Sequence, residues 1–196
     1  MKKLTYLIVI SLLIGFSFPQ NANAQQHILT QKEIRKIEKK KRKMIRLKRS
    51  LKSRAFYANL LKRHYFVFQA DRLYGPGGLS YSVSPDINFF AVFKNKVVLQ
   101  FGFQGIIGWN GVGGLTAEGF LDTYHFNPGK SLKKALTIHG TIRPRGGGGS
   151  PYFNMTINDD GYATLDVLMI GGGRISMGGR LVSPQNASVF KGQTIF

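Results

Sequence analysis

The chain of 196 residues contains no cysteine, and this absence excludes several classes of protein at once. Disulfide-stapled scaffolds and metal sites built from thiolates both need cysteine. A bacterial lipoprotein needs a cysteine at its cleavage site to carry the lipid, so this route to a membrane anchor is also closed. Hydrophobic burial has to hold the folded domain, and a chain of this length can form a core of the required size.

Acidic residues are scarce, since nine Asp and Glu face 28 Lys and Arg and the formal net charge is +19. Most of this excess lies in residues 25–64, which have nine Lys and six Arg against two Glu. Residues 65–196 have eleven basic and seven acidic side chains and are only mildly basic. Such a concentration of positive charge in one short segment predicts a polyanionic partner.

Long apolar runs are absent except at the N-terminus. Lys2 and Lys3 precede a mostly apolar stretch, residues 4–18, and Ala22-Asn23-Ala24 follows it. A basic start, a short apolar run and small residues before the cleavage site are typical of a secretory signal peptide. The run is shorter than the ~20 residues that a membrane-spanning helix needs. We therefore expect cleavage near Ala24 and export to the periplasm or the cell envelope, which excludes nucleic acid as a partner.

The basic segment, residues 25–64, has no proline or glycine and is rich in Lys, Arg, Leu and Ile, which favours a helix. Thr30 followed by Glu33 matches a capping box. Apolar residues recur at helical spacing from residue 44 onward, and we expect this stripe to lie on the rest of the protein. The stripe consists of Met44, Leu47, Leu51, Ala55, Ala58 and Leu61.

A basic helix in the envelope suits an anionic membrane surface or an envelope polymer, because each Lys or Arg near such a surface contributes about 1 kcal/mol. The candidate anion-contacting residues are Lys39, Lys40, Lys41, Arg42, Lys43 and Arg46. The alternative is a solvated segment with no partner.

Residues 65–196 consist of short runs separated by turn-forming residues. From Tyr152 to Asn158, apolar and polar residues alternate, which gives a strand one dry and one wet face. Asp159-Asp160-Gly161 follows, and Asp beside Gly is a strong hairpin signal. Lys94-Asn95-Lys96 predicts another hairpin, with Asn95 at positive φ, and the glycine-rich residues 102–114 predict a loop anchored by Trp109.

Eight or nine such runs predict a mainly-β fold, an antiparallel meander of about eight strands. The meander forms a small barrel or sandwich, lipocalin-like in outline, preceded by one basic amphipathic helix. The predicted organisation is a signal peptide (residues 1–24), a basic helical segment (25–64) and a β domain (65–196).

Catalytic and metal-binding patterns are missing. His27, His64, His125 and His139 have no Gly-x-Ser-x-Gly nucleophile motif with them, and no metal-ligand spacing occurs. We expect no catalytic residue, no metal and no cofactor. Arg143 and Arg145 beside Gly146–Gly149 are a further candidate for an anion site.

Several stretches together resemble an uncharacterised family of exported bacterial proteins, domain-of-unknown-function family 4251. They are the leader, the Lys/Arg-rich helix, "FVFQADRL", "INFFAV", "GGLTAEGFLDTY", "MTINDDGYATLDV" and "GGRLVSPQNASVFKG". The resemblance extends from about Glu33 to Gly192. It implies an envelope-located, mostly-β domain of unknown activity, and it supplies no active site.

The expected function is that of an exported cell-envelope protein, a non-enzymatic binding or structural β domain with a basic helix for anionic surfaces. One alternative is a hydrolase of envelope glycans or lipids, which uses Glu118 and Asp122 with Asp71 from a neighbouring strand. These carboxylates otherwise pair with Arg72, Arg174 or Arg180. A second alternative is a carrier of a lipophilic ligand, whose cavity is lined by Phe66, Phe68, Phe90, Phe101 and Phe120.

Overall fold

The computed structural model describes residues 30–102, 111, 113–132 and 134–192. The predicted signal peptide, its cleavage near Ala24, His27 and the expected loop around Trp109 lie outside these residues. The chain divides into two compact units after Arg42. No helix in the described ranges is long and apolar enough to cross a membrane.

One α-helix, nine strands and two short 3-10 helices (Pro76–Gly78 and Pro184–Asn186) make up the regular structure of the described residues. The helix is α1 (Gln31–Lys62). The strands are β1 (Tyr65–Tyr74), β2 (Ser80–Ser82), β3 (Phe89–Phe93), β4 (Lys96–Phe101), β5 (Leu115–Asn127), β6 (Leu136–Pro144), β7 (Tyr152–Ile157), β8 (Tyr162–Leu168) and β9 (Arg174–Val182). The prediction of one helix followed by a mainly-β body is confirmed.

The strands form a closed antiparallel barrel. Their order is β2-β1-β3-β4-β5-β6-β7-β8-β9, and β1 also pairs with β9, from Val67 opposite Val182 to Tyr74 opposite Ser176. Strands β1 and β3 to β9 therefore form an eight-stranded ring, and β2 is an extra strand on the later part of β1. Of the two predicted architectures, barrel and sandwich, the structure is the barrel.

Alternate side chains of each strand point inward and fill the barrel. On β7, Phe153, Met155 and Ile157 are completely buried, as the alternation predicts. The rings of Phe66 and Phe90 lie 6.3 Å apart, and the ring of Phe90 lies 5.3 Å from that of Phe153. These rings pack against one another in one core, so they do not line a ligand cavity as expected.

Phe120, the last of the five phenylalanines expected around a cavity, is not part of that core. It lines a cleft on the outer surface together with Phe93, Val98 and Lys96. The expected lining of the carrier cavity is therefore wrong, because Phe120 belongs to the opposite face of its strand from the inward-facing Leu121.

Two β-bulges bend the sheet into a barrel, and on the partner strand a glycine lies opposite the first bulge and one residue beyond the second. The pairing of β1 with β9 shifts register between Ala70 and Arg72, and that of β5 with β6 shifts between Leu121 and Thr123. At Gly179 on β9 an added Cβ atom would lie 2.0 Å from the backbone oxygen of Gln69. At Gly140 on β6 it would lie 2.1 Å from the backbone oxygen of Thr123. Such close backbone approach is what glycine permits at the corners of a barrel.

The C-terminal segment covers the outer faces of β1, β3 and β4. Val67, Phe89 and Ala91 form a second buried cluster there, beneath Ala187. The fully buried Gln100 holds this segment, since its amide donates to the carbonyl of Phe190 (2.8 Å) and its side-chain oxygen accepts from the N–H of Gly192 (2.8 Å). A buried amide with partners on both atoms fixes the register of the segment.

The β3–β4 hairpin forms where it was predicted, but the residue at positive φ is Lys94 (φ 60°) and not Asn95. The N–H of Lys94 donates to the carbonyl of His64 (2.7 Å), which links this turn to the end of α1. His64 itself has φ 50° and leads the chain from α1 into β1.

Candidate functional site

Helix α1 begins with the predicted capping box. The N–H and the hydroxyl of Thr30 both donate to a carboxylate oxygen of Glu33 (2.9 Å each), and the N–H of Glu33 donates to the Thr30 hydroxyl (3.3 Å). These hydrogen bonds lower the pKa of Glu33, the backbone bond most strongly. The prediction of a helix start at Thr30 is confirmed.

All six predicted anion-contacting residues are exposed on α1. Lys39, Lys40, Lys41 and Arg42 belong to the first compact unit, and Lys43 and Arg46 belong to the second. Arg42 lies 4.0 Å from Glu38 one turn earlier, and both side chains are mostly exposed. An exposed pair of this kind is worth well under ~1 kcal/mol, so the guanidinium stays open to another anion.

The apolar stripe of α1 does not pack on the barrel as predicted. Met44 is 58% exposed, Leu47 is 47% exposed and Leu51 is 48% exposed. At the other end of the predicted stripe, Leu61 is completely buried and Ala58 is partly buried against the core. The sequence identifies an amphipathic helix correctly, but most of the apolar stripe faces solvent.

Polar contacts dock the second half of α1 on the barrel. The Ser50 hydroxyl and the Arg54 guanidinium donate to the two carboxylate oxygens of Asp159, at 2.5 and 2.9 Å. Ser53 donates to the backbone oxygen of Asp159, and Arg54 donates also to that of Pro128. Sequence reasoning assigned Asp159 to the β7–β8 turn alone and missed its role as the anchor of the helix.

The same face of α1 closes one end of the barrel with apolar groups. Leu60 and Leu61 belong to the core, and the Tyr57 ring lies directly over Gly161 in the β7–β8 turn. The Tyr124 hydroxyl donates to the carbonyl of Leu61 (2.9 Å). Burial raises the pKa of Tyr124 well above its ordinary value, because the phenolate would lose its hydration.

The exposed surface of residues 43–52 combines positive charge with apolar carbon. Between Lys43 and Lys52, every basic residue is exposed, and so are the apolar ones. The basic residues are Lys43, Arg46, Lys48, Arg49 and Lys52, and the apolar ones are Met44, Ile45, Leu47 and Leu51. This combination is typical of a helix that lies in a membrane interface.

The carboxylates proposed for hydrolysis do not share one site. Glu118 accepts a hydrogen bond from Arg145 (3.1 Å) and another from Lys191, while Asp122 accepts from the Thr141 hydroxyl (3.3 Å). Asp71 is on β1, which does not neighbour β5, and one of its carboxylate oxygens is buried with no hydrogen-bond partner in the described structure.

The expected ion-pair partners are wrong as well. Glu118 pairs with Arg145 and Lys191 instead of Arg72, Arg174 or Arg180, because the β6–β7 connection and the C-terminal segment both reach β5. Arg174 pairs with Asp166 on the neighbouring strand (2.9 Å).

Two histidines meet on the outer face of the barrel. His125 and His139 are directly opposite on β5 and β6, with ring centroids 5.1 Å apart. Among the residues that the structure describes, no three His, Asp or Glu side chains come close enough together to hold a metal ion.

Comparison with known proteins identifies the fold and leaves the activity open. A family model described as "Domain of unknown function (DUF4251)" matches residues 48–181. The crystal structure of a DUF4251 family protein from Bacteroides eggerthii DSM 20697 is similar to this chain, with a TM-score of 0.57 and 22% sequence identity. The match covers 69% of this chain and 90% of that chain. A search of curated proteins gave no match.

Proposed function

Because the chain belongs to the DUF4251 family, a family of unknown function, we propose a function from its own geometry. The protein is an exported, non-enzymatic binding domain of the cell envelope, and α1 attaches it to an anionic phospholipid surface. The predicted signal peptide supports the export, and the charge of residues 25–64 supports the sign of the surface.

The outward position of the apolar side chains on α1 carries this proposal. The helix uses Ser50, Ser53 and Arg54 to bind the barrel, which leaves Met44, Leu47 and Leu51 exposed among basic residues. A phospholipid surface offers phosphates to the basic groups and an acyl region to the apolar ones. A hydrophilic anionic polymer offers only the charges, so phospholipid fits this face better.

The environment of the carboxylates supports a role without catalysis. Arg145 and Lys191 both bind the carboxylate of Glu118, and the carboxylate of Asp122 accepts a hydrogen bond from the Thr141 hydroxyl. The two carboxyl groups therefore have separate partners and do not form one pair. A glycosidase needs two carboxyl groups on either side of one sugar-binding cleft.

Vesicle sedimentation tests the proposed attachment. The chain from residue 25 onward is mixed with vesicles of phosphatidylglycerol and phosphatidylcholine, or of phosphatidylcholine alone, at low and high salt. We expect sedimentation with the anionic vesicles at low salt and release as salt rises, because salt screens the surface charge. Equal sedimentation with both kinds of vesicle, or none with either, contradicts the proposal.

Two double variants separate the charge from the apolar contact. Lys40→Gln with Lys43→Gln should weaken vesicle binding by about 2 kcal/mol, or roughly 30-fold. The matched control, Lys96→Gln with Lys134→Gln, removes two charges from exposed sites outside α1 and should leave binding within about twofold. Met44→Ser with Leu51→Ser keeps every charge and should also weaken binding, since an apolar face adds to the attraction of the headgroups.

A further inference from the structure

The end of the barrel opposite the β7–β8 turn has an apolar pocket of about 290 Å³. The connections β6–β7 (residues 145–151) and β8–β9 (residues 169–173) border it. Its walls are almost entirely hydrocarbon, and the apolar residues that line it include Val97, Leu99, Leu115, Ile142, Met169 and Ile170. Val97 and Leu99 belong to the core and form the floor, whereas Ile170 is exposed at the edge.

The stagger between β5 and β6 creates this pocket. Strand β5 pairs with β4 from Leu115 onward, but its pairing with β6 starts only at Gly119, opposite Pro144. The inward side chains of Leu115 and Ala117 therefore extend past the end of β6, where they face two connections instead of a strand. The pocket follows from the register of the sheet and is separate from the packed core around Phe66 and Phe90.

Two cations and one anion lie next to the pocket, in the neighbouring cleft on the outer face of the barrel. Glu118 lines both the pocket and that cleft, and its carboxylate binds Arg145 and Lys191, which line only the cleft. Arg145 is largely exposed and is held in place by its own N–H, which donates to the carbonyl of Glu118 (2.9 Å). Gly147 and Gly148 lie beside it along the pocket and leave open space where side chains would be.

We propose that this pocket binds a single-chain amphiphile with a carboxylate head, such as a fatty acid. Its hydrocarbon chain lies against Leu115, Ala117 and Ile170, and its carboxylate meets Arg145. The volume is near the lower bound of about 300 Å³ for small-molecule pockets, which suits one hydrocarbon chain better than a two-chain lipid. This site goes beyond the attachment through α1 and needs none of the residues of that helix.

Displacement of a fluorescent fatty acid tests the site directly. A dansyl-labelled undecanoic acid is bound to the chain from residue 25 onward and is then displaced by octanoate, decanoate and laurate below their micelle concentrations. Affinity should rise about fourfold for each methylene that enters the pocket. Absence of saturable binding of the probe, or affinity that does not depend on chain length, overturns the proposal.

Variants locate the ligand in this pocket. Ala117→Phe fills the space and should weaken laurate binding at least tenfold, while His125→Phe also places a phenylalanine on this strand, but on its outer face, and should leave laurate binding unchanged. Ile170→Ser, in an exposed connection, removes apolar contact without touching the core and should weaken binding several-fold. If Ala117→Phe binds laurate as His125→Phe does, the ligand is elsewhere and the proposal fails.

The head group is tested by replacing the acid with an alcohol. The wild-type protein should bind laurate about tenfold more tightly than dodecanol. Arg145→Gln should remove this preference for the acid and leave the affinity for dodecanol the same. Equal binding of acid and alcohol by the unchanged chain contradicts the role of Arg145. The Ala117→Phe variant should sediment with anionic vesicles as the unsubstituted protein does, because the pocket includes no residue of α1. Loss of fatty-acid binding and loss of vesicle binding are therefore separate results.

Discussion

Gly161 permits the close approach of Tyr57 of α1 to the β7–β8 turn. Its φ is +83°, and an added Cβ atom would lie 2.0 Å from the Tyr57 hydroxyl oxygen. Gly161→Ala therefore combines an unfavourable backbone conformation with a collision. We expect a loss of about 3 kcal/mol in the free energy of unfolding, measured by urea denaturation.

Gly171 provides the matched control for this substitution. Its φ is +90°, but no atom lies within 4 Å of the position of an added Cβ atom. Gly171→Ala should lower the free energy of unfolding by about 1–2 kcal/mol, which is the cost of placing a non-glycine residue at positive φ. Equal losses in Gly161→Ala and Gly171→Ala would show that the Tyr57 ring moves aside freely.

Tyr74 and Tyr162 form a hydroxyl pair above Gly178 that should be visible in a pH titration. The two hydroxyl oxygens lie 3.4 Å apart, and the hydrogen bond with Tyr74, with smaller effects of burial and of Asp71, raises the pKa of Tyr162 to about 12. A raised pKa means that the folded state holds the proton more tightly. The contribution to stability is therefore complete below pH 10, the ordinary pKa of tyrosine, and is lost between pH 10 and about pH 12.

Tyr74→Phe should bring the pKa of Tyr162 back toward 10 and reduce the loss of stability in that pH range. Ultraviolet titration of the tyrosinate signal measures the shift. Tyr81→Phe, a substitution at an exposed tyrosine of β2, serves as the control and should leave the Tyr162 titration unchanged. An unchanged Tyr162 titration in Tyr74→Phe would contradict the assigned cause.

At the scale of elements, Asp159 determines how firmly the second half of α1 is attached to the barrel. The Arg54 side chain is only 12% exposed, and Asp159→Ala removes its anionic partner together with the acceptor of Ser50. A partly buried cation without its partner is costly, so urea denaturation should show a loss of about 2–3 kcal/mol.

Asp166→Ala removes an ion pair of the same geometry from an exposed place. Arg174, the partner of Asp166, is 66% exposed, so solvent replaces most of the interaction. The expected loss is below about 1 kcal/mol. If the two variants lose the same stability, burial does not distinguish the two pairs and Asp159 is not the anchor.

The face of α1 shows why the sequence predicts this element only in part. Its composition and its capping box predict the helix and its start at Thr30 correctly. Periodicity also finds the apolar stripe, but it does not say which surface meets the barrel. The contact uses Arg54 and Asp159, which lie 105 residues apart, and a polar contact over such a separation leaves no periodic signal.

For the whole molecule, alternation and turn residues predict the strands but leave barrel and sandwich open. The deciding contact joins β1 to β9, the first and last strands, and such non-local pairing is not encoded in any short segment. The pocket beside Leu115 and Ala117 was missed for the same reason. It depends on the stagger of β5 against β6, whereas the sequence-based expectation placed a cavity among the phenylalanines.

Closure of the ring should depend strongly on Gly179, where β9 approaches β1. An added Cβ atom would lie 2.0 Å from the backbone oxygen of Gln69 and 2.7 Å from Cα of Ala70, and backbone atoms within a sheet have little room to move. Gly179→Ala should therefore lower the free energy of unfolding by about 3 kcal/mol and speed amide hydrogen exchange in β1 and β9. In the control Gly173→Ala the new atom has an ordinary contact at 3.8 Å with Met169, so stability should stay the same or rise by about 0.5 kcal/mol. Exchange that speeds equally in all eight strands of the ring would contradict a local opening between β1 and β9 and would show that the barrel opens as one cooperative unit.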